Sequence, residues 1–363
     1  MIRYEQSLAK AMHEDTSTIN RYGVEILVKH IPDEPRPGCF DPREFGFVKQ
    51  AFETGESKEP TVQEMRGRMG FPNLNMNTVE IHTRYEEHNF DGNTVGIWVY
   101  RPRKPEGRTG RPGFVYIHGG GWVGGTIYTV ENPCKLLAEL GDCVVFNLDY
   151  SLAPEKPYPN GLNDCFSALE YIYTNAEKFG VDRNRIGMGG DSAGGNLTAA
   201  CAIRDRDKGT NMLKYQVLIY PAVTLSNTKI PEYEWKLEDF EMSPEHRAYI
   251  EPGLLLGRPT DDEKSPLEIA SLYLQHGENP DDPAISPLLA KSHAGLCKAL
   301  IAVAEFDGLR IQGEIYGRLM RKAGVDTRII RYKGVGHAFF DKLGYLPQAE
   351  DLVWEMANGI KSL

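Results

Sequence analysis

The sequence predicts an α/β fold, in which a mostly parallel central sheet carries helices on both faces and a helical cap. Strand-like and helix-like segments alternate from residue 78 onward, which is typical of such sheets. The alternation stops over 225–282, a stretch of roughly 55 residues that is too long for a plain loop and indicates an inserted cap. Residues 1–77 are polar and interrupted by prolines. We therefore expect a core formed by 78–224 and 283–363, with an N-terminal helical segment at 1–77 as part of the cap.

The individual elements follow from their hydrophobic spacing and from turn residues. Two strand-like runs, 78–90 and 94–101, flank Asp91-Gly92-Asn93, which favours a hairpin turn. Apolar residues at helical spacing predict a helix over 160–179. The other predicted strands are 113–117, 143–148, 185–189, 214–220, 299–304 and 326–332, and the other predicted helices are 129–140, 193–206, 311–323 and 347–360.

Composition and charge argue against several classes of partner. The net charge of −10 disfavours nucleic acid or an anionic membrane as the main partner, because both are polyanions. The longest apolar runs are far shorter than the ~20 residues that a membrane span needs, and residues 1–20 lack the apolar core of a signal peptide. The six cysteines include no Cys-x-x-Cys pair, which favours free thiols in a reducing compartment. We therefore expect a cytoplasmic protein, and a homodimer stays open.

The most informative motif is Gly190-Asp191-Ser192-Ala193-Gly194, between a strand-like and a helical run. A serine in this Gly-x-Ser-x-Gly pattern lies on a sharp strand-to-helix turn that exposes its hydroxyl. Ser192 is therefore the candidate nucleophile of a serine hydrolase. Asp191 either tunes the charge near this serine or caps the helix that follows.

A serine nucleophile needs a base and a carboxylate that orients the base. His337 follows the last predicted strand in a glycine-rich loop, and Asp307 follows the strand before it. In an α/β sheet the carboxyl ends of the strands meet at one edge, where both side chains can reach Ser192. Glu305 and Asp341 compete with Asp307 for the carboxylate role, and Asp307 could also cap the next helix.

The oxyanion that forms on an attacked carbonyl needs N–H donors. One candidate donor is the backbone of Ala193, and the others belong to the loop His118-Gly119-Gly120-Gly121, which follows a predicted strand. Glycines let the backbone of such a loop approach the substrate closely. Trp122, next to this loop, is a candidate for the wall of the substrate pocket.

Taken together, the motifs resemble the hormone-sensitive lipase family of esterases. The resemblance covers roughly 78–363 and implies an α/β-hydrolase fold, with a helical cap built from the N-terminus and the insertion. It also implies a triad, an oxyanion hole and a loop-ordering role for His118. The implied triad is Ser192, Asp307 and His337, and the implied oxyanion hole is Gly120, Gly121 and Ala193. The motifs that carry the resemblance are His118-Gly119-Gly120-Gly121-Trp122, Asp149-Tyr150-Ser151-Leu152-Ala153-Pro154-Glu155, Gly190-Asp191-Ser192-Ala193-Gly194-Gly195-Asn196, Asp307-Gly308-Leu309-Arg310 and Gly336-His337-Ala338-Phe339.

The chain departs from this family at two places. Ile311 and Gln312 replace an acidic pair that often follows the triad aspartate, and Ser151 stands where many members carry arginine. The first departure puts the support of the Asp307 loop in question. Residues before about 75 match no family motif, so substrate preferences that depend on the cap do not transfer.

The expected activity is that of a serine carboxylesterase, which hydrolyses short to medium acyl esters of small molecules through an acyl-enzyme. Two alternatives on the same triad stay open, an amidase and a deacetylase of acetylated sugars or natural products. A remote alternative is a non-catalytic ligand-binding protein, because the plant gibberellin receptors resemble this family but lack the catalytic histidine.

No cofactor or metal is expected. The segment Gly119-x-Gly121-x-x-Gly124 fits the dinucleotide fingerprint, but the predicted helix does not begin on these glycines and the preceding strand is not the first of the domain. No histidine or cysteine spacing favours zinc.

Overall fold

A ten-stranded sheet dominates the computed structural model, which describes residues 4–54, 60–103, 110–231, 233–259 and 269–363. Parts of the predicted N-terminal segment and of the predicted cap insertion lie outside these described residues. In chain order, the strands are β1 (Thr16–Arg21), β2 (Val24–Lys29), β3 (Ile81–Phe90), β4 (Asn93–Pro102), β5 (Arg111–Ile117), β6 (Val144–Asp149), β7 (Val181–Asp191), β8 (Leu213–Ile219), β9 (Lys298–Phe306) and β10 (Thr327–Gly336).

The strands follow the order β1-β2-β10-β9-β8-β7-β5-β6-β4-β3. Neighbours from β2 to β6 in this order are parallel, whereas β4 pairs with β6, β3 with β4 and β1 with β2 in the antiparallel sense. The sheet is therefore mostly parallel, as the sequence predicts. The parallel strands bring their carboxyl ends to one edge, where ligands bind in open α/β sheets.

Two apolar cores cover the two faces of the sheet. On β5, Phe114 and Tyr116 point into one core and Val115 and Ile117 into the other, because successive side chains of a strand alternate between its faces. The first core contains residues of α1, α4 and α10, and the second contains residues of α5, α6 and α9. The helices of the described residues are α1 (Gln6–Glu14), α2 (Pro42–Thr54), α3 (Val62–Arg68), α4 (Glu131–Gly141), α5 (Asn160–Thr174), α6 (Ala193–Lys208), α7 (Arg247–Leu254), α8 (Ala270–Tyr273), α9 (Arg310–Lys322) and α10 (Pro347–Lys361).

Most predicted elements of the core appear within a few residues of their predicted positions. The helix predicted over 160–179 is an exception, because α5 ends at Thr174 and a separate 3₁₀ turn covers Ala176–Phe179. Gly180, with a φ of +68°, ends this turn in the left-handed conformation that glycine adopts most readily.

The sequence predicts short helices in 1–77 and strands only from residue 78 on, but Thr16–Lys29 is not helical. This segment forms the hairpin of β1 and β2, and β2 extends the main sheet beside β10. Val24, Ile26 and Val28 are buried at the spacing of two that a strand requires. The signal is easily missed in the sequence because β1 is mostly exposed and polar.

The N-terminal segment packs against the predicted insertion. Phe45 on α2 stacks on His246 with ring centres 4.1 Å apart and packs edge-on against Tyr249 of α7 at 5.1 Å. Within the described part of 225–282 there are short helices and turns and no strand. The domain boundaries themselves stay a prediction.

A buried ion-pair cluster holds the N-terminal hairpin on the sheet. Lys29, which is 1% exposed, lies 3.1 Å from the Asp351 carboxylate and 2.8 Å from that of Glu355. His13 on α1 contacts the same Asp351 oxygen at 2.5 Å. Asp351 and Glu355 belong to α10, so one lysine connects β2 to the last helix of the core.

Two further properties bear on location. All six cysteines are free thiols, as the sequence predicts. In the described residues, each helix is too short or too polar to cross a bilayer.

We expect Lys29→Met to destabilise the protein by about 3 kcal/mol, because it leaves the buried Asp351 carboxylate without its lysine, whereas Glu355 keeps its ion pair with Arg328. The midpoint of urea unfolding, followed by circular dichroism, measures the effect. Lys49→Met is the matched control, since Lys49 lies 3.9 Å from Glu53 in a solvent-exposed pair and such pairs contribute at most about 1 kcal/mol. Equal shifts of the midpoint in the two variants would contradict the role of the cluster.

Candidate active site

Ser192 lies at a sharp turn between β7, which ends at Asp191, and α6, which begins at Ala193. Its backbone has a φ of +55° and a ψ of −116°, a conformation that is strained for a residue with a side chain. The turn is held by a hydrogen bond from the Ser192 N–H to the carbonyl of Ile219 at 2.8 Å. The hydroxyl consequently projects from the carboxyl edge of the sheet, as the Gly-x-Ser-x-Gly motif predicts.

The two glycines of the motif are required by the close approach of β5. A β-carbon on Gly190 would lie 2.3 Å from the Ile117 carbonyl oxygen, and one on Gly194 would lie 2.0 Å from the same atom. Neither distance is tolerable, so the sequence pattern reflects a direct steric constraint.

The structure brings His337 and Asp307 to Ser192. The Nε2 atom of His337 lies 2.9 Å from the Ser192 hydroxyl, and its Nδ1 atom lies 2.8 Å from the Asp307 carboxylate. His337 directly follows β10 and Asp307 directly follows β9. Glu305 lies elsewhere, because its carboxylate accepts the N–H of Gly334 at 2.8 Å.

The environment of His337 favours a moderately basic imidazole. Burial lowers the pKa of His337, but the Asp307 carboxylate, its hydrogen bond and the charge of Asp191 outweigh burial and leave the pKa above its usual value. Asp307 is completely buried and also accepts the Leu309 N–H at 2.9 Å, which fixes its orientation. A neutral His337 in this position can accept the proton of the Ser192 hydroxyl.

Asp191 anchors the glycine-rich loop to the end of β7. One oxygen of its carboxylate accepts the Tyr116 hydroxyl at 3.0 Å and the Gly119 N–H at 2.9 Å. The N-cap residue of α6 is Ser192 and not Asp191. The contacts of Asp191 therefore support its role as a charge near the serine rather than as a helix cap. Burial raises the pKa of Asp191 to about 6, against the lowering effect of these two hydrogen bonds.

Asp341 is a second buried carboxylate beside the site. Burial, together with the charge of Asp191, raises the pKa of Asp341 well above its usual range. Within the described residues its Oδ1 atom has no hydrogen-bond partner. The sequence named Asp341 only as a competitor of Asp307, because its distance from Asp191 cannot be read from spacing.

The glycine-rich loop follows β5 and curls beside Ser192. Gly120 and Gly121 have φ values of +122° and +61°, and a β-carbon on Gly120 would lie 2.1 Å from the Gly124 carbonyl oxygen. His118 is fully buried below the loop, with Nδ1 2.8 Å from the Gly119 carbonyl. Across the described chain, the backbone hydrogen bonds leave the N–H groups of Gly120, Gly121 and Ala193 unused. These groups can donate to a ligand oxygen.

A cavity of about 390 Å³ opens above Ser192. Trp122 lies in its wall, as predicted, and stacks on Tyr273 of α8 with ring centres 4.9 Å apart. The sequence missed the contribution of 68–71 from the N-terminal segment, since no motif marks those residues. The lining comprises Arg68, Met69, Gly70, Phe71, Gly119, Gly120, Gly121, Trp122, Gly125, Thr129, Asp191, Ser192, Ala222, Leu256, Ile269, Leu309, His337, Ala338, Asp341 and Lys342.

Ile311 and Gln312, which stand where the resembling family often has an acidic pair, make uncharged contacts with their surroundings. Gln312 accepts the Thr224 N–H at 3.2 Å and approaches the Gly257 carbonyl at 3.5 Å, so it connects the loop after β8 with the cap. Ile311 is fully buried in the core. Support for the Asp307 loop is therefore retained without the acidic pair.

Among the described residues, no cluster of histidine, cysteine, aspartate or glutamate side chains has the arrangement of a metal site. The arrangement that the structure does contain is a hydrogen-bonded serine, histidine and aspartate beside a set of N–H donors.

The chain is similar to known hydrolases and esterases. A family model described as the alpha/beta hydrolase fold matches residues 114–341. An arylesterase of Saccharolobus solfataricus is 34% identical over 67% of this chain and 72% of its own length. The carboxylic ester hydrolase LipN of Mycobacterium tuberculosis is 36% identical over 66% of this chain and 60% of its own length. A solved structure, a hyperthermophilic esterase from the archaeon Pyrobaculum calidifontis, has a TM-score of 0.72 and 31% identity over 89% of this chain and 98% of that one.

We expect Asp191→Asn to shift the acid limb of the pH profile of kcat/KM to lower pH. The negative charge of Asp191 raises the pKa of His337, and His337 must be neutral to accept a proton, so activity is lost as pH falls through that pKa. Removing the charge lowers the pKa and extends activity into more acidic solution. Because the pKa of Asp191 itself is about 6, its charge is only partly present in more acidic solution.

The profile can be measured with 4-nitrophenyl acetate, because the relatives are ester hydrolases. Asp207→Asn, which neutralises an exposed carboxylate on the same helix that follows Ser192, is the control and should leave the limb in place. An unshifted limb in Asp191→Asn would contradict the electrostatic coupling.

Proposed function

This chain belongs to the α/β-hydrolase family and is a carboxylic ester hydrolase, and on this basis we propose that Ser192, His337 and Asp307 are its catalytic triad. One observation carries the assignment. A continuous hydrogen-bonded chain joins the Ser192 hydroxyl to His337 at 2.9 Å and His337 to Asp307 at 2.8 Å. The motifs further support membership of the hormone-sensitive lipase family.

In the first half of the reaction, His337 Nε2 accepts the Ser192 proton while the serine oxygen attacks the ester carbonyl. The carbonyl oxygen becomes an oxyanion, which accepts hydrogen bonds from the N–H groups of Gly120, Gly121 and Ala193. Each such donor stabilises the transition state by about 3 kcal/mol. Protonated His337 then donates its proton to the alcohol oxygen, the carbon–oxygen bond breaks and an acyl-Ser192 remains.

Water completes the cycle. His337, neutral again, accepts a proton from a water molecule that attacks the acyl-enzyme, and the oxyanion again lies against the same donors. Collapse of this intermediate releases the carboxylic acid and returns the proton to Ser192. Throughout, Asp307 holds the imidazole in one orientation and stabilises its charged form.

The substrate class follows from the size and walls of the cavity. A volume of about 390 Å³ fits a small ester, and the cap contributes Leu256 and Ile269 as an apolar wall. We infer a preference for short to medium acyl chains. The amidase and deacetylase alternatives use the same triad, and the cytoplasmic location and the oligomeric state also stay predictions.

Ser192→Ala should lower kcat for 4-nitrophenyl acetate by about 10⁶-fold, because the nucleophile is lost while the fold remains. Ser362→Ala, which removes an exposed hydroxyl near the C-terminus, is the matched control and should behave like the wild type. Labelling by diethyl 4-nitrophenyl phosphate, read by mass spectrometry, should modify the wild type and not Ser192→Ala. Near-normal turnover in folded Ser192→Ala would refute the triad.

A series of 4-nitrophenyl esters of increasing acyl length tests the substrate range. We expect kcat/KM to be highest among acetate to hexanoate esters and at least tenfold lower for palmitate, because a long chain cannot be enclosed in a cavity of this size. A maximum at palmitate would contradict the inferred range.

A further inference from the structure

A second cavity lies directly beside the catalytic one. It has a volume of about 470 Å³. Met69, Gly125 and Thr129 line both cavities. The two spaces therefore share one wall, and a ligand bound at Ser192 needs only to pass this wall to extend into the second cavity.

The lining of the second cavity is polar and electrically balanced. It includes two cationic side chains, Arg66 and Lys156, and two anionic ones, Asp149 and Glu155. Because the charges cancel, the cavity favours neither an anionic nor a cationic ligand. The other lining residues are Met69, Thr94, Gly125, Thr126, Thr129, Tyr150, Ser151 and Leu152.

Some of these polar groups are available for a ligand. Asp149 is exposed at the end of β6. Lys156 donates to Asn93 at 3.0 Å, which uses one of its three N–H groups. Neutral groups that both donate and accept hydrogen bonds, such as hydroxyls, match this combination.

Met69, one of the three residues that line both cavities, belongs to residues 66–71, which we call the strap. Arg66 fastens the strap, since its guanidinium donates to the Val123 carbonyl at 2.6 Å and to the Ala153 carbonyl at 2.9 Å. The same guanidinium forms two hydrogen bonds with the Glu155 carboxylate, at 2.9 and 2.6 Å. The strap is thus tied to both the glycine-rich loop and the segment after β6.

Met69 occupies the boundary between the cavities. Its sulfur packs against Gly124, where a β-carbon would lie 2.4 Å away. Two residues later, Phe71 packs edge-on against Tyr345 with ring centres 4.9 Å apart, near the loop that follows His337. Phe71 of the strap and His337 line the same catalytic cavity, and the leaving alcohol must lie near His337 in order to receive its proton.

We propose that the second cavity binds the alcohol part of the substrate, that this part is a neutral, hydroxyl-bearing group such as a sugar or polyol, and that Met69 determines how large it can be. The proposal rests on the proposed triad and names the alcohol class that the triad acts on. The ester carbonyl lies at Ser192, the short acyl group against the apolar cap wall, and the alcohol extends past Met69.

A pair of acetate esters of equal shape tests the proposal. Methyl 6-O-acetyl-glucopyranoside and cyclohexylmethyl acetate both place an acetate on a methylene attached to a six-membered ring, but only the first carries hydroxyls. The readout is the ratio of their kcat/KM values, measured by titration of the released acetic acid. In the wild type we expect the ratio to favour the glucoside.

Thr94→Trp should lower this ratio at least fivefold, because a large ring on the exposed rim of the second cavity fills it. Thr83→Trp is the matched control, since Thr83 is an exposed threonine on the neighbouring strand β3 and lines neither cavity. It should leave the ratio within twofold of the wild type. Met69→Trp should lower kcat/KM at least fivefold for both acetates, because their alcohols are equal in size, and Met69→Ala should raise kcat/KM for larger acetylated glycosides.

The experiments distinguish failure of the proposed triad from failure of the second cavity as the alcohol site. Retention of 4-nitrophenyl acetate turnover in Ser192→Ala would refute the triad. Intact turnover in the wild type, with a ratio that is unchanged in Thr94→Trp, would refute the second cavity as the alcohol site, and unchanged kcat/KM of both acetates in folded Met69→Trp would refute Met69 as its size limit. A lowered ratio in folded Thr94→Trp, with the Thr83→Trp ratio unchanged, would support the second cavity as that site.

Discussion

The strained backbone of Ser192 is the constraint on which the rest of the site depends. A φ of +55° is costly for serine, and it persists because β5, β7 and α6 meet too closely for any other path. Gly190 and Gly194 both abut the Ile117 carbonyl oxygen, so the turn and the strand that leads to the glycine-rich loop have a fixed separation. The proposed nucleophile and the loop of proposed N–H donors are consequently positioned through the same carbonyl of β5.

Two buried carboxyl groups beside the proposed triad, those of Asp191 and Asp341, determine its electrostatic environment. Asp191 joins the nucleophile turn to Gly119 by a hydrogen bond and also contributes to the raised pKa of His337. Asp341 lies close enough for the charge of Asp191 to raise its pKa further. A carboxylate that both fixes a loop and tunes a base couples the geometry of the site to its ionisation, since disturbing one alters the other.

The N-terminal segment has three structural roles. Its hairpin extends the sheet and is held by the buried Lys29 cluster, its helix α2 packs on α7, and its strap contributes Met69 to the wall between the two cavities. The part of the chain that carries no recognisable motif therefore contributes directly to the space around Ser192. If the strap limits the alcohol group, relatives with the same triad can differ in substrate through this segment alone.

The fold class, the order of most core elements and the candidate triad could be predicted from the sequence, because each depends on local information. Strand and helix periods are local, and the residues directly after β7, β9 and β10 must meet at one edge of a parallel sheet. The hairpin Thr16–Lys29 could not be predicted, since its burial depends on pairing with β10, some 300 residues later in the chain. The folded chain alone also creates the proximity of the Asp191 and Asp341 carboxyl groups, the contacts of Arg66 and the second cavity. Each arises where segments distant in sequence pack against one another, and no local pattern records that packing.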